Sequence, residues 1–288
     1  MSARLDEQRV LVIGGWKYLG EAVARAARQA GAQIVIGARD LSRAQRVAAE
    51  LDGSAVRVDV TDEASIAAAA AELRAGNAHV DHVVITAAAH HNVPVAELDK
   101  GKIITAFDAK VFGPLLVAKH FAPILPVTGS ILLFSGVAAW TPGAPYTVMG
   151  VSNGAVSFLA THLAEELAPI RVNAISPGIV DSGTYDSLGS EAKRDLLGDA
   201  AASNPVGRAG TRDDIAEAAL WLLSAGVVTG EPIHVEGGAR IRGPRAVIPS
   251  PARPSSSPAA APASGARSRA PSSTTGRTWP SPDVVRSL

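Results

Sequence analysis

The stretch VLVIGGWKYLG, residues 10–20, decides the fold of this 288-residue chain. Its first four residues form a short apolar run, which is typical of a strand buried on both faces. Glycines follow at Gly14, Gly15 and Gly20, and the next residues have the spacing of a helix. Glycines at such a turn let backbone amides approach a pyrophosphate, and the helix N-terminus adds partial positive charge. The alternative interpretation is a glycine-rich turn without a ligand.

Outward from this stretch, short apolar runs alternate with longer, alanine-rich segments of helical period. The predicted strands are residues 10–13, 34–36, 55–60, 80–85, 131–134, 170–175 and 233–235. The predicted helices are residues 19–29, 41–51, 64–75, 102–120, 152–167 and 213–223. This alternation predicts an α/β fold with one Rossmann-type, doubly wound parallel sheet of about seven strands and helices on both faces. We expect this domain to span residues 1–244.

Composition excludes several classes of function. The 27 basic and 27 acidic residues balance, so there is no general electrostatic reason to expect a nucleic acid or an anionic membrane as partner. The chain has no cysteine, which excludes disulfides, a thiol nucleophile and cysteine-ligated metals, and we expect no metal site. Residues 1–9 lack the apolar core of a signal peptide, and no run approaches the ~20 apolar residues that span a bilayer. These features predict a cytoplasmic protein.

Residues 245–288 differ from the rest of the chain. They hold six arginines and one acid, which leaves 21 basic and 26 acidic residues, a balance of −5, in residues 1–244. They also contain 8 of the 19 prolines and 10 serines, and their only aromatic residue is Trp279. Such a segment buries too little apolar surface to offset the entropy of ordering it, which predicts a disordered tail. The tail is either an inert extension or a basic segment that contacts an acidic partner.

Residues after the second and third predicted strands suit a nucleotide. Arg39 stands where an NAD-binding fold often carries an acid for the ribose 2′-hydroxyl, and an arginine there suits a 2′-phosphate. Asp59 and Val60 stand where an adenine would lie. Helix capping is the alternative role for Asp59 and Asp62, and for Asp62 we favour it.

From about residue 10 to residue 238 the chain resembles the classical short-chain dehydrogenase/reductase family. The motifs that carry the resemblance are Asp59-Val60-Thr61-Asp62 at the adenine motif, Ile85-Thr86-Ala87-Ala88 in place of Asn-Asn-Ala-Gly, Arg171-Val172-Asn173-Ala174-Ile175-Ser176-Pro177-Gly178 before the substrate loop, and Asn204-Pro205-Val206-Gly207-Arg208, Val228-Thr229-Gly230 and Val235-Glu236-Gly237-Gly238 near the end. The resemblance implies a nicotinamide cofactor and a homodimer or homotetramer. In this family the helices predicted at 102–120 and 152–167 form the subunit interface, and both are apolar around much of their circumference.

The resemblance also implies which residues bind the cofactor. NADP-preferring members carry a basic residue before the second motif glycine and an arginine after the second strand, and Lys17 and Arg39 stand at these places. NADP is therefore favoured over NAD. Tyr18 replaces the second motif glycine, where a side chain clashes with the pyrophosphate unless it turns away. The full predicted set is Gly14, Gly15, Lys17, Leu19, Gly20, Arg39, Asp59, Val60, Ala87, Ala88, Asn153, Pro177, Gly178, Val180 and Ser182.

The catalytic positions of the family are all changed in this chain. The family uses a tyrosine, a lysine, a serine and an asparagine, and these positions hold Met149, Asn153, Gly136 and Lys110 here. A methionine has no proton to give, a glycine has no hydroxyl and an asparagine carries no charge, so the usual mechanism cannot operate. Asparagine and lysine have exchanged places, which predicts an ammonium near the nicotinamide ribose. The alternative is a Lys110 side chain that extends to solvent.

Other residues near these positions are candidates for proton transfer. Tyr146 precedes the predicted helix, either on the face of the site or, as we favour, in the loop that enters the helix. His90 and His91 follow the fourth strand, where an imidazole could exchange protons near neutral pH or serve as polar lining. Ser135 is adjacent to Gly136, but neighbours on a strand point to opposite faces, so we do not expect it to replace the lost serine.

These observations predict an NADP-dependent oxidoreductase that acts on a small-molecule carbonyl, imine or enone, with Lys110, Tyr146 and Asn153 at its catalytic site. Two alternatives stay open. One is a non-redox isomerase, dehydratase or cyclase on the same scaffold, and the other is a non-enzymatic, NADP(H)-responsive binding protein. The loop at 181–200 covers the substrate, and its sequence does not identify that substrate.

Overall fold

A seven-stranded parallel sheet forms the centre of the molecule. The computed structural model describes residues 4–76 and 79–241. Within them the strands are Arg9–Ile13 (β1), Gln33–Ala38 (β2), Ser54–Arg57 (β3), His82–Ile85 (β4), Ser130–Phe134 (β5), Arg171–Pro177 (β6), Val180–Asp181 (β7), Gly210–Thr211 (β8) and Pro232–Val235 (β9). The central sheet has the order β3-β2-β1-β4-β5-β6-β9, and β7 pairs with β8 in a separate two-stranded sheet.

The strand order reverses between β1 and β4, as it does in doubly wound sheets. Each of the seven predicted strands overlaps a strand of the central sheet, and all of its neighbouring strands are parallel. The predicted α/β fold is therefore confirmed. In such sheets the ligand crevice lies outside the carboxyl ends of the strands at the reversal, which places the candidate site beyond Ile13 and Ile85.

Helices cover both faces of the sheet. They are Tyr18–Gln29 (α1), Leu41–Glu50 (α2), Glu63–Ala75 (α3), Lys100–Phe107 (α4), Gly113–Phe121 (α5), Thr147–Glu166 (α6), Ser190–Ser203 (α7) and Arg212–Ser224 (α8). Alternate strand residues enter two separate clusters of buried side chains: Leu11 and Leu133 pack with residues of α3, α5 and α6, whereas Val12 and Leu132 pack with residues of α1, α2 and α8. Burial on both faces explains why these strands are continuous apolar runs.

The structure corrects three of the predicted element bounds. The helix predicted at 102–120 is divided into α4 and α5 by a π-helical turn, Asp108–Phe112. Its apolar residues surround the whole helix, so the periodicity carries no sign of the extra residue in this turn. The helix predicted at 152–167 begins earlier, at Thr147, and the loop predicted at 181–200 contains most of α7.

Within residues 4–76 and 79–241, every helix is too short or too polar to cross a membrane. The predicted disordered tail at 245–288 and the predicted domain boundary at residue 244 lie outside the described residues.

Candidate active site

The glycine-rich loop after β1 lies against the loop after β4. Gly14 has a φ of +87°, and a Cβ added to it would lie 2.6 Å from Thr86 Oγ1 and 3.1 Å from the amide nitrogen of Ala87. A Cβ added to Gly20 would lie 2.5 Å from the carbonyl oxygen of Gly14. Both positions therefore require glycine. The loop brings the first turn of α1 to the carboxyl ends of β1 and β4, where its amides can bind a phosphate.

Tyr18 stands in this loop with a backbone conformation that favours glycine. Its φ is +53°, a left-handed conformation that costs an L residue roughly 1–2 kcal/mol. Its ring reaches the segment after β7, because a Cβ added to Gly183 would lie 3.1 Å from the ring atom Cδ1. Lys17 Nζ lies 4.6 Å from the centroid of the same ring. The Tyr18 ring thus lies between the glycine-rich loop and the segment that contains Gly183.

Basic side chains gather at the carboxyl ends of β1 and β2. Lys17 Nζ lies 4.8 Å, and the Arg43 guanidinium 4.7 Å, from the ring centroid of Trp16. Arg43 also pairs with Asp40 at 3.1 Å. Arg39 directly follows β2 and is exposed, and no residue of the described ranges forms a hydrogen bond or an ion pair with its guanidinium. Arg39 is therefore available to an anion.

The two aspartates after β3 have different roles. Asp62 caps α3 by accepting a hydrogen bond of 3.0 Å from the backbone amide of Ala64, which confirms the capping role predicted for it. Asp59 does not cap α3, because its Oδ1 accepts hydrogen bonds from the backbone amide and the hydroxyl of Thr61, at 3.0 and 2.7 Å. The Val60 side chain between them is buried in the core.

The remaining predicted cofactor residues lie at or just beyond the carboxyl ends of β1, β4 and β6. Val180 is buried in the core, and the buried Ser182 lies with its Oγ 2.8 Å from Thr184 Oγ1. A Cβ added to Gly178 would lie 2.8 Å from Glu236 Cα, so the backbone after β6 approaches the backbone after β9 closely. The other members of the set are Gly15 and Leu19 after β1, Ala87 and Ala88 after β4, and Pro177 at the end of β6.

Lys110 lies in the π-helical turn between α4 and α5, and its side chain points into the protein. The residue is only 8% exposed, and its Nζ donates a hydrogen bond of 3.3 Å to the carbonyl oxygen of Ser135, just beyond β5. The alternative in which this lysine extends to solvent is therefore wrong. Burial lowers the pKa of Lys110 to about 8. Turns of this π-helical kind occur frequently at functional sites.

Gly136 and Asn153 fit each other closely. A Cβ added to Gly136 would lie 2.7 Å from Asn153 Nδ2, so a side chain at position 136 cannot accompany Asn153 in this conformation. Asn153 is 3% exposed, and its Oδ1 has no hydrogen-bond partner among the described residues. Leaving a buried acceptor unpaired costs about 1–3 kcal/mol, which indicates a place for a donor from a bound molecule. Ser135 Oγ faces α6, where it donates to the Asn153 carbonyl at 2.8 Å and lies 2.9 Å from Ser157 Oγ.

Two further buried polar atoms, one on β6 and one on β9, lie on the face of the sheet that α6 covers. Ser176 Oγ and His234 Nδ1 have no hydrogen-bond partner among the described residues. Ser176 is directly opposite His234 in the register of β6 and β9, so both side chains lie on the face that α6 covers. Trp140 packs edge-on against the His234 ring, with 4.9 Å between centroids. Sequence reasoning missed this pair because only the register of two distant strands brings it together.

Tyrosine and histidine side chains lie around the outer part of the site. Tyr146 directly precedes α6 and is 42% exposed, which is the entering-loop position that we favoured. Tyr185, which sequence reasoning missed, has its pKa raised by burial and further by the nearby Tyr146 phenol. His90 is solvent-accessible; desolvation in the cleft lowers its pKa, and the charge of nearby Lys110 lowers it further.

His91 differs from its neighbour His90. It is buried, and its Nε2 accepts a hydrogen bond of 3.1 Å from the backbone amide of Asp99, directly before α4. This contact gives His91 a structural role at the start of the helix. In the part of the chain that the structure describes, no group of three or more histidine, aspartate and glutamate side chains could hold a metal ion.

Similarity to known proteins shows to which protein family this chain belongs. The family model described as enoyl-(acyl carrier protein) reductase matches residues 17–240. A short-chain dehydrogenase/reductase of an Acremonium species is 32% identical over 258 residues, which cover 83% of this chain and 97% of that protein. This chain belongs to the short-chain dehydrogenase/reductase family. Short-chain dehydrogenases/reductases are oxidoreductases that use NAD(P)(H).

Other similar proteins show how widely this scaffold is used. An inactive 2-(S)-hydroxypropyl-CoM dehydrogenase of Xanthobacter autotrophicus is 36% identical over 228 residues, which cover 75% of this chain and 98% of that protein. The crystal structure of a ribose-5-phosphate isomerase from Brucella melitensis has a TM-score of 0.77 and 28% identity, and covers 84% of this chain and 96% of that one. A reductase/Diels-Alderase of Malbranchea aurantiaca has a TM-score of 0.77 and 26% identity, over 83% of this chain and 98% of that one.

Proposed function

We propose that this short-chain dehydrogenase/reductase is an NADP(H)-dependent oxidoreductase that acts on a small-molecule carbonyl, imine or enone, with Lys110 as its proton donor. One observation carries the proposal. A buried ammonium lies 3.3 Å from the Ser135 carbonyl oxygen, beside Gly136, which occupies the position of the family's serine. The site that lost its tyrosine and serine therefore still holds an ionisable group.

Several residues fit NADP. Gly14 and Gly20 allow the tight turn that brings the first turn of α1 to the strand ends, and the Arg39 guanidinium, which has no partner among the described residues, suits a 2′-phosphate, which arginine binds by two charge-assisted hydrogen bonds. Lys17 adds a second positive charge beside the glycine-rich loop. Tyr18 replaces the second motif glycine, and its ring lies against the segment after β7, so we expect the ring to turn away when a pyrophosphate binds. When bound, the cofactor supplies the hydride.

The side chains of the site supply the proton and the orientation. A lysine with a pKa of about 8 is mostly protonated at neutral pH but gives up its proton far more readily than an exposed lysine, which suits a general acid. Asn153 Oδ1 is a buried acceptor that has no partner among the described residues, and it would orient a hydroxyl group of the bound molecules. Tyr146 and Tyr185 would line the outer part of the substrate site.

Consumption of NADPH tests the proposal. The purified chain is mixed with NADPH and a panel of small carbonyls, imines and enones, and the absorbance of the reduced nicotinamide is followed. We expect turnover with members of the panel, and a loss of about 100-fold or more in Lys110→Met, the usual effect of removing a general acid. The exposed Lys102 on α4 provides the matched control, because Lys102→Met should turn over like the wild type. A fully active Lys110→Met would contradict the assignment.

A second candidate function is a non-enzymatic, NADP(H)-responsive binding protein. The approach of the Tyr18 ring to Gly183, at the edge of the sheet where a cofactor would bind, favours it, and so does the similarity to an inactive dehydrogenase. Calorimetry of NADPH binding, read together with the NADPH-consumption assay, separates the two candidates. Binding of NADPH without consumption across the whole panel would support the binding protein, whereas a product of unchanged mass formed without cofactor consumption would indicate an isomerase.

We also propose a homodimer or homotetramer. Apolar side chains are exposed around α5 and α6, with exposed fractions of 49% for Phe112, 58% for Val151 and 69% for Phe158. Large apolar side chains in such numbers on neighbouring helices are typical of a surface that another protein covers. Sedimentation equilibrium should give a mass of two or four chains, and Phe158→Glu should shift it towards one chain. A wild-type protein that sediments as a single chain would contradict this proposal.

A further inference from the structure

Lys110 differs from every other lysine of the chain in its surroundings. It is 8% exposed, and its hydrogen-bond acceptor is the neutral carbonyl oxygen of Ser135. No carboxylate of the described residues forms an ion pair with it. The other five lysines are in water or paired: Lys17, Lys100, Lys102 and Lys119 are exposed, and Lys193 pairs with Asp181 and Asp186.

A buried amine without a counter-charge is a nucleophile as well as an acid. Desolvation disfavours the ammonium form and lowers the pKa of Lys110 to about 8, so about one tenth of the side chains carry a neutral amine at pH 7. For an exposed lysine the neutral fraction is below ~0.1% at the same pH. Lysines desolvated in this way attack carbonyl carbons in enzymes that form Schiff bases.

Two features near Lys110 suit attack on a carbonyl group. The residue after its hydrogen-bond acceptor is Gly136, and the space beside Gly136 is taken by the neutral amide of Asn153, whose Nδ2 lies 2.7 Å from where a Gly136 Cβ would be. His90 is solvent-accessible, and the charge of Lys110 adds to the desolvation that lowers its pKa, so its imidazole is a candidate to move protons. The hydrogen-bond acceptor of the amine therefore adjoins a neutral amide, and the charge of the amine acts on an imidazole that can carry protons.

We infer that Lys110 Nζ condenses with small aldehydes and ketones, above all α,β-unsaturated ones, to form an imine on the protein. The neutral amine adds to the carbonyl carbon, which forms the C–N bond, and the carbonyl oxygen is protonated and leaves as water. Hydrolysis reverses both steps and releases Lys110. The inference rests on the proposed function for the location of the substrate, but the condensation needs no cofactor.

The unsaturated class follows from the chemistry of the imine. A protonated imine withdraws electrons from a conjugated C=C bond more strongly than the parent carbonyl does. Reduction of that C=C bond, followed by hydrolysis, frees the lysine again. Reduction of the C=N bond itself would leave Lys110 alkylated, so a saturated aldehyde would inactivate the protein in the presence of a reductant.

Reductive trapping tests the inference. The full chain is incubated at pH 7 with benzaldehyde and cyanoborohydride, without NADPH; cyanoborohydride reduces the imine to a stable secondary amine and is itself oxidised. Intact mass should show one benzyl group per chain, and peptide mapping should place it on Lys110. Labelling there should be on the order of 100-fold faster than at Lys102, in the ratio of their neutral fractions. Lys110→Arg should lose the label, whereas Lys102→Arg should keep it.

The outcomes separate this inference from the proposed function. If wild-type protein is labelled on its exposed lysines as fast as on Lys110, the imine inference is wrong. This measurement uses only the wild type, so it does not depend on the folding of any variant. NADPH consumption without labelling of Lys110 would support the proposed reductase and contradict imine formation at Lys110. Labelling of Lys110 without NADPH consumption would support imine formation at Lys110 and contradict the proposed reductase.

Discussion

Replacing Lys110 with methionine should stabilise the protein at neutral pH. The pKa of Lys110 falls from 10.5 to about 8 on folding, so keeping the ammonium buried at pH 7 costs about 3 kcal/mol at 1.36 kcal/mol per pKa unit. The substitution removes this cost but also removes the hydrogen bond to Ser135, which contributes about 1 kcal/mol. Methionine has a similar shape without a charge. The expected gain in the free energy of unfolding is therefore about 2 kcal/mol at pH 7.

The pH dependence identifies the cause of this gain. The folded pKa lies below the unfolded one, so between about pH 8 and pH 10.5 the unfolded state binds more protons than the folded state. Wild-type stability should therefore rise by about 1.4 kcal/mol per pH unit over this window, whereas the contribution of position 110 is constant in Lys110→Met. The advantage of the variant should fall from about 2 kcal/mol at pH 7 to near zero at about pH 9.5.

Urea unfolding, followed by tryptophan fluorescence, measures the free energy of unfolding of the wild type and of Lys110→Met at pH 7 and at about pH 9.5. Lys102→Met is the control, because substituting an exposed lysine should change stability by less than about 0.5 kcal/mol at either pH. A Lys110→Met protein less stable than the wild type at pH 7, or one with the same advantage at both pH values, would refute the desolvation argument. The imine and general-acid roles would then lose their physical basis as well.

Three more substitutions test the site. Tyr18→Gly should tighten NADPH binding about tenfold in calorimetry, because it frees the crevice and relieves a left-handed φ; an unchanged affinity would mean that the ring does not obstruct the cofactor. Gly136→Ser should destabilise the fold by about 1–3 kcal/mol in urea, since its Cβ would lie 2.7 Å from Asn153 Nδ2, and adding Asn153→Ala should restore most of the loss. Arg39→Ala should weaken NADPH binding at least about tenfold and leave NADH binding unchanged; an equal loss for both would contradict a 2′-phosphate contact.

The sheet was predictable because its signals are local. A strand buried on both faces is mostly apolar, and runs of three to six mostly apolar residues mark all seven strands of the central sheet. The turn after β1 was predictable for the same kind of reason. Gly14 has a positive φ, and any side chain there would collide with the loop after β4. Helix bounds were less accurate, because the apolar run at 102–120 carries no sign of the π-helical turn that divides it.

The sequence by itself determined the doubly wound fold and the positions of Lys17 and Arg39 at the strand ends. These follow from residue type and from spacing along the chain. Only the tertiary structure decided that Lys110 points inwards, that Asn153 fills the space left at Gly136, and that Tyr18 reaches across to Gly183. The physical reason is that desolvation and steric fit depend on groups far apart in sequence. Sequence spacing shows which side chains are present, but packing determines their charge, partners and direction.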